Sequence, residues 1–242
     1  MIKVIPAIDL IEGKCVRLSQ GNYNACKVYS ANPLYIAKEF EDFGTELLHI
    51  VDLDGAKASS PVNLHILETI ASRTSLKCEF GGGIKSRESL SSALSAGAYR
   101  VICGSIACNS PELFTEWLIE FGHHKVLFGA DLKDGRPAVN GWLESGNNTI
   151  EDLLEKFIEA GLASTIVTDI SRDGMLNGPS FDLYKRLIGE FPGHNFIASG
   201  GISNMTDILK LNEIGIKEVI AGKALYEGKI SKEELVELNK ML

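Results

Sequence analysis

Two aspartates stand where an enzyme could use one as a general acid and the other as a general base. Asp9 and Asp131 each follow an apolar run of strand length, and the stretches AIDL at 7–10 and GADL at 129–132 repeat at an offset of 122. Two carboxylates that face one small substrate can divide proton donation and proton removal between them. An aspartate that merely caps the loop behind its strand is the alternative, but the symmetric occurrence favours a catalytic pair.

Four glycine-bearing turns repeat in the same two-fold manner and could bind phosphate. The turn at 81–83 (GGG) matches the turn at 199–201 (SGG) at an offset of 118, and a second small turn follows each of them one predicted strand later, at 104–105 and at 222–223. Where no side chain intervenes, backbone N–H groups can approach an anion closely. A lone triple glycine is more often only a tight turn, but two symmetric pairs predict two phosphate sites at opposite edges of one site.

A molecule that spans both phosphate sites would carry a phosphate at each end and its reacting carbon between Asp9 and Asp131. The sequence therefore predicts a small bisphosphate as the substrate. Neutral amides and helix ends bind the phosphates in this arrangement, so an acidic overall charge is no obstacle. The residues expected to hold the phosphates are Gly82, Gly83, Gly104, Ser105, Gly200, Gly201, Gly222 and Lys223.

Loop residues around the predicted site could contact the rest of the substrate. Thr168 and Asp169 end the sixth predicted strand and lead into a polar loop with Arg172, which could close over a ligand. Trp142 follows the fifth predicted strand outside any helical stripe, which favours stacking on a planar substrate group over core packing. Arg17 is expected to reach the site from the first loop.

Three further polar residues belong to the second predicted strand or its end. His49 lies inside an apolar run and is expected to be a hydrogen-bonded core residue rather than a catalyst. Asp52 and Asp54 could line the site or fix its loop, and the sequence favours neither interpretation.

The elements that must position these residues alternate regularly along the chain. Eight apolar runs are mostly continuous, which is typical of parallel strands buried on both faces. Segments with helical spacing follow them in turn, and this alternation predicts an α/β fold, a (β/α)8 TIM barrel. The predicted strands lie at 2–8, 47–51, 76–80, 100–103, 126–130, 165–168, 195–198 and 218–221. The predicted helices lie at 33–43, 62–71, 87–96, 111–121, 150–160, 181–188, 205–213 and 232–242.

The internal repeat favours the barrel over its rival, a doubly wound open sheet with a ligand at one switch point. The second half of the sequence resembles the first at an offset near half the chain length, and two four-fold halves close naturally into one barrel. No Pro/Ser-rich linker divides the sequence. We therefore expect a single domain over residues 1–242, with half-barrels at approximately 1–122 and 123–242.

Composition and charge limit the partners. The 242 residues are 45% hydrophobic and carry a net charge of -8, the wrong sign for nucleic acid or an anionic membrane as the main partner. No apolar run approaches the roughly 18 residues that span a bilayer. The five cysteines form no CxxC pair and no leader-like segment opens the chain, so we expect a reducing cytoplasm. No spacing suggests metal ligands, and a monomer is expected.

Six motifs together resemble a known family over the whole chain. They are IPAIDL at 5–10, GKCVRL at 13–18 followed by Gln20-Gly21, VDLDGA at 51–56, GGGI at 81–84, VNGW at 139–142 and DISRDG at 169–174. The combination resembles the phosphoribosylformimino-aminoimidazole carboxamide ribotide isomerases, which carry out the fourth step of histidine biosynthesis. The resemblance implies a (β/α)8 barrel without a metal or organic cofactor and a substrate with two phosphates.

The resemblance also implies a reaction and a role for each aspartate. The reaction is an Amadori rearrangement of an aminoaldose to an aminoketose, with Asp9 as the proton acceptor and Asp131 as the proton donor. An acid must help to open the ribose ring to a Schiff base, and a base must then remove the proton at C2 to give an enolamine.

One position departs from the family pattern. Lys85 stands where the family usually has arginine after the GGGI motif. Lysine keeps the charge but loses the two-pronged contact of a guanidinium. We expect phosphate attraction to be retained, whereas the dual histidine and tryptophan pathway role of some relatives is not expected.

One alternative lies within the same fold and two belong to other classes. The cyclase of the same pathway is also half-barrel symmetric, but Arg17-Leu18 and residues 169–174 resemble the isomerase. A non-catalytic sugar-phosphate-binding barrel would keep the glycine turns without needing both Asp9 and Asp131. An aldolase-type barrel usually needs a Schiff-base lysine at a strand end or a metal, and we expect neither.

Overall fold

Eight parallel strands close on themselves at the centre of the protein in this computed structural model. The structure describes residues 1–19, 22–133, 135–139, 142, 144–145 and 148–241. Two pieces of the motifs quoted above, Gln20-Gly21 and Asn140-Gly141, lie outside the described residues.

The parallel strands and the longer helices alternate along the described residues. The strands are β1 (Lys3–Ile11), β2 (Lys14–Ser19), β3 (Asn22–Ser30), β4 (Leu47–Asp52), β5 (Lys77–Gly81), β6 (Arg100–Cys103), β7 (Val126–Lys133), β8 (Arg136–Val139), β9 (Glu144–Ser145), β10 (Ser164–Asp169), β11 (Asn195–Ser199) and β12 (Glu218–Ala221). The helices are α1 (Pro33–Asp42), α2 (Leu53–Ala58), α3 (Leu64–Arg73), α4 (Arg87–Ser95), α5 (Ser105–Asn109), α6 (Pro111–Phe121), α7 (Ile150–Glu159), α8 (Phe181–Glu190), α9 (Met205–Glu213), α10 (Lys223–Tyr226) and α11 (Lys232–Lys240).

The barrel is closed because each of its parallel strands has a parallel neighbour on both sides. β1 pairs with β12 and with β4, and the pairing continues in chain order through β5 and β6 to β7. β7 then pairs with β10, which leads through β11 back to β12. Helices connect successive parallel strands. The predicted (β/α)8 barrel is confirmed, and closure excludes the open sheet.

The first and fifth parallel strands extend further than the sequence predicted. β1 turns back antiparallel through β2, which pairs with β3, and β7 turns back through β8. At the first turn Glu12 and Gly13 have φ of 49° and 72°, the left-handed values that a two-residue hairpin turn requires. Asp9 and Asp131 therefore lie inside extended strands rather than directly behind them.

The apolar core has two parts, one inside the barrel and one between the strands and the helices. The larger outer part contains buried aromatic side chains of both layers, such as Phe80, Phe114 and Trp117. Because both faces of each strand are buried, the sequences of the strands are nearly continuous apolar runs. The inner part consists of Ile5, Ala7, Leu47, Leu127, Ile166, Ile197 and Ile220.

The eight longer helices lie where the sequence predicted them, within two residues at each end. At the start of α1 the Asn32 side chain accepts a hydrogen bond from the Tyr35 N–H, and Pro33 occupies the first turn. The short helices α2, α5 and α10 were not predicted, because so few residues show no apolar period. No helix among the described residues is long and apolar enough to cross a membrane.

Candidate active site

A cavity of about 220 Å³ lies at the end of the barrel toward which the parallel strands run. Asp9 on β1 and Asp131 on β7 both line it. Three strands separate β1 from β7 in either direction around the barrel, so the two aspartates come from opposite sides. In (β/α)8 barrels the active site forms at the C-terminal ends of the parallel strands. The structure thus brings the two aspartates to one cavity, as the repeat predicted.

Asp9 is buried and paired with a cation. Arg17 on β2 donates from Nη1 to Asp9 Oδ1 over 2.9 Å, and its Nη2 lies 3.9 Å from Asp173 Oδ1 in the loop behind β10. Burial raises the pKa of Asp9, and the guanidinium of Arg17 partly offsets that shift. A carboxylate with a raised pKa is a stronger base than an ordinary exposed aspartate.

Asp131 is held by two neutral donors instead. The Trp142 indole donates from Nε1 to Asp131 Oδ2 over 2.7 Å, and the Thr168 hydroxyl also hydrogen-bonds the carboxylate. Burial raises the pKa of Asp131, while these two hydrogen bonds oppose the shift. A raised pKa keeps a carboxyl protonated at higher pH, as a proton donor requires. Trp142 lines the cavity, and its stacking on a substrate stays a prediction.

The turn behind β5 forms one edge of the cavity. Gly82 and Gly83 have φ of +109° and +78°, and a Cβ on Gly82 would lie 2.1 Å from the Asp52 carbonyl oxygen. Only glycine fits so close to the neighbouring backbone in this conformation. Gly104 and Ser105, at the start of α5, line the same cavity.

The matching turn behind β11 lines a second, smaller cavity of about 20 Å³. Gly200 and Gly201 have φ of +91° and +83°, which repeats the left-handed geometry of the first turn. Gly222 and Lys223 line this cavity too, and Lys223 Nζ donates to the Gly174 carbonyl oxygen over 2.8 Å. The two edges thus share one backbone form, and their use as phosphate sites stays a prediction.

Comparison with known proteins identifies the family of this chain. The profile of a family described as histidine biosynthesis protein matches residues 3–231. A protein of Cytophaga hutchinsonii named 1-(5-phosphoribosyl)-5-((5-phosphoribosylamino)methylideneamino) imidazole-4-carboxamide isomerase is 51% identical over 239 residues, which cover 99% of this chain and 100% of the relative. Relatives of the same name from Bacteroides thetaiotaomicron and Flavobacterium johnsoniae are 53% and 50% identical, over 97% of this chain and 98% of their own. The chain belongs to the histidine biosynthesis protein family.

Membership of the histidine biosynthesis protein family confirms the resemblance that the six motifs carried. Lys85, the departure from the usual family pattern, lines the large cavity beside Gly83. Lys85 thus lies at the edge where the first phosphate site is predicted.

Asp169 and Arg172 are the two predicted binding residues that line neither cavity. The Asp169 carboxylate accepts hydrogen bonds from Ser171 and Ser180, and Arg172 Nη1 donates to the Gly178 carbonyl oxygen over 3.0 Å. Both side chains are therefore engaged inside their own loop. Their contact with a substrate stays a prediction.

Asp52 and Asp54 fix the loop behind β4. The fully buried Asp52 carboxylate accepts from the N–H groups of Gly55, Val62 and Asn63 over 2.7–2.8 Å. Asp54 Oδ2 accepts from the Asn63 amide over 3.0 Å. Of the two interpretations that the sequence left open, the structure favours the loop-fixing one, and neither residue lines the cavity.

His49 is buried and contacts Glu79, as expected of a hydrogen-bonded core residue, and it also lines the cavity. Its Nδ1 lies 3.4 Å from Glu79 Oε2 on β5, and Glu79 also pairs with Arg100 on β6. The sequence carried a signal for this cluster, since Glu79 and Arg100 are charged residues within otherwise apolar runs. No three His, Cys, Asp or Glu side chains in the described part of the chain are grouped so that they could hold a metal ion.

Proposed function

We propose that the protein is an aldose–ketose isomerase that converts the phosphoribosylformimino-aminoimidazole carboxamide ribonucleotide to its phosphoribulosyl isomer. The names of the relatives support this substrate. The observation that carries the proposal is the placement of Asp9 and Asp131, with raised pKa values, in one cavity that has a glycine turn at its edge.

The substrate lies across the mouth of the barrel with one phosphate at each edge. The first phosphate binds the turn at Gly82 and Gly83 and the start of α5, and the second binds the turn at Gly200 and Gly201 and the start of α10. Backbone N–H groups at these positions attract anions without a net positive charge. The ribose to be isomerised then lies between the two aspartates.

The reaction needs only the two carboxyl groups. Asp131 protonates the ring oxygen as the C1–O bond breaks, and the nitrogen lone pair forms the C1=N bond. Asp9 removes the proton from C2, whose electrons form C1=C2 while the C1=N pair returns to nitrogen. Asp9 then returns its proton to C1, and Asp131 takes the proton of the C2 hydroxyl as the ketone forms. Both groups end in their starting protonation states.

An isomerisation assay coupled to the downstream cyclase tests the proposal. The wild-type protein should turn over the aminoaldose bisphosphate, and Asp9→Asn should lower kcat by at least ~10²-fold with little change in KM, as expected for loss of a general base. Asp182→Asn, a like substitution on the exposed face of α8, is the matched control. An inactive wild-type protein would refute the substrate, and an active Asp9→Asn would refute the assigned base.

All residues assigned to the site come from one chain, so the proposal requires no second subunit. We accordingly expect a monomer that acts on a small-molecule bisphosphate. Sedimentation equilibrium at the assay concentration checks this expectation.

A further inference from the structure

Arg17 lies in the wall between the two cavities. Four residues line both the large cavity and the small one, and Arg17 and Asp173 are the charged members of that set; Ser199 and Ile220 complete it. A ligand that reached from the aspartates to the turn at Gly201 would have to pass this wall. Arg17 is therefore one of the side chains that separate the two cavities.

The guanidinium of Arg17 rests on Gly222. A Cβ on Gly222 would lie 2.4 Å from Arg17 Cζ and from Nη2, so the absence of a side chain makes room for the guanidinium. Gly104, the half-barrel counterpart of Gly222, has no such neighbour: its Cβ would meet only the Gly129 carbonyl oxygen, at 3.3 Å. The two glycines have similar φ of -99° and -112°, so the difference lies in what each one packs against.

The small cavity has to enlarge before it can hold a phosphate group. At about 20 Å³ it offers little more than the space of one water molecule. Its boundary includes Arg17 and Lys223, whose cationic groups are engaged by Asp9 and by the Gly174 carbonyl oxygen. Arg17 Nε is buried and has no hydrogen-bond partner among the described residues. The guanidinium thus retains a donor for a two-pronged contact with an anion.

We propose that Arg17 is a positioning residue that holds the base Asp9 until an anion bound at Gly201, Gly222 and Lys223 draws the guanidinium away. The inference rests on the proposed function for the identity of the base and of the second phosphate. Binding of the second phosphate then opens the wall and frees the base in one movement. A ligand that lacks this phosphate leaves Asp9 paired, so proton removal is confined to the complete substrate.

Several charged or titratable groups face Asp9, and Arg17 is the one in direct ionic contact. Asp173 adds to the upward shift of the Asp9 pKa, and His49 opposes it. Loss of the cation removes a stabilising partner of the carboxylate, so the Asp9 pKa must rise when Arg17 leaves. The groups on the remaining elements that feel the Asp9 charge are Cys15, Tyr23 and Tyr226.

The Asp9 pKa, measured by carboxyl ¹³C NMR on the full chain with and without sulfate, tests the proposal. Sulfate is the probe because its charge does not change over the titration, and the Asp9 signal is assigned by its loss in Asp9→Asn. In the wild-type protein sulfate should raise the Asp9 pKa by about one unit. In Arg17→Met the pKa should start higher and respond less, because only the charge of the sulfate itself then acts on Asp9, and Arg17→Lys should restore part of the response.

The two glycine variants are a matched pair for the same titration. Gly222→Ala places a methyl group where the guanidinium rests and should abolish most of the sulfate response, whereas Gly189→Ala, in α8 with open space around the added methyl group, should retain it. If sulfate shifts the backbone signal of Lys223 but leaves the Asp9 pKa unchanged in the wild-type protein, the proposal is wrong. A response that Gly222→Ala keeps in full, like the Gly189→Ala control, would also refute it. The titration requires no turnover, so its outcome is independent of the isomerase assay.

Discussion

Asp9 and Asp131 have similar surroundings but different partners, and the difference suits opposite roles. In the free protein Arg17 brings a positive charge to Asp9, which keeps the carboxylate ionised before the substrate binds. Trp142 and Thr168 bring only neutral donors to Asp131, and these hydrogen bonds oppose the rise in pKa that burial causes. The proposed acid is thus the carboxyl without a cationic partner.

Trp142→Phe should move the basic limb of the kcat/KM profile to higher pH. The indole N–H stabilises the ionised form of Asp131, so its loss raises the Asp131 pKa further. An acid with a higher pKa stays protonated, and therefore active, to higher pH. The profile is measured with the coupled isomerisation assay across the neutral and alkaline range.

Trp117→Phe is the control for that profile. Trp117 is buried in α6 and belongs to the outer core, so its loss should cost stability without moving the limb. If the basic limb of the Trp142→Phe profile is unchanged or lies at lower pH, the indole does not control the pKa of Asp131.

At the level of elements, the loop behind β4 and the turn behind β5 depend on each other. Asp52 fixes its own loop through its side chain, and its backbone carbonyl lies against Gly82. The glycine turn is thus shaped by its neighbour as well as by any anion that it binds. The same holds at the opposite edge, where a Cβ on Gly201 would lie 2.5 Å from the Gly178 carbonyl oxygen.

Gly82→Ala should lower the free energy of unfolding by at least ~2 kcal/mol. The new side chain would be strained at a left-handed φ and would overlap the neighbouring backbone. Gly104→Ala should cost less, since Gly104 has an ordinary φ and more room. Urea unfolding of both variants measures the difference. If both variants lost the same free energy of unfolding, the close packing against Asp52 would not be the reason why glycine occupies position 82.

For the whole molecule, a buried ionic cluster joins strands around the barrel. Arg100 on β6 pairs with the fully buried Glu79 on β5 and lies 3.4 Å from Glu218 on β12. Glu79 in turn lies 3.4 Å from His49 on β4. These contacts join β4, β5 and β6 to β12 beneath the cavity.

Arg100→Met should destabilise the fold by about 3–5 kcal/mol, because it leaves the Glu79 carboxylate buried without its cation. The double variant Arg100→Met with Glu79→Leu should recover much of that loss, since no unpaired charge then remains. Thermal unfolding of the three proteins checks this. A double variant no more stable than Arg100→Met would show that the loss comes from packing rather than charge.

The two-fold repeat predicts two anion sites on the molecule. Crystals grown in sulfate should show one anion at Gly83 with Gly104-Ser105 and a second at Gly201 with Gly222-Lys223. Occupation of only the first site, even with substrate bound, would mean that the repeat has no second phosphate role. The division into half-barrels near residue 122 stays a prediction that rests on the sequence.

The sequence by itself determined the number of barrel strands, the positions of the longer helices and the placement of Asp9 and Asp131 on opposite sides of one cavity. These features depend on local apolar runs, helix ends and a repeat, all of which are visible along the chain. The hairpin behind Asp9 had a signal in Glu12-Gly13, but the antiparallel pairing that extends β1 depends on a partner strand.

Tertiary structure alone decided the contacts between loops that lie far apart in sequence. The sequence predicted Arg17 near the site, but not that its guanidinium rests on Gly222 and divides the two cavities. In the same way, Arg172 could be placed on a loop at the mouth, while its contact with Gly178 depends on how that loop folds. Such contacts depend on which strands become neighbours when the barrel closes. No local sequence pattern encodes how close two distant loops then lie.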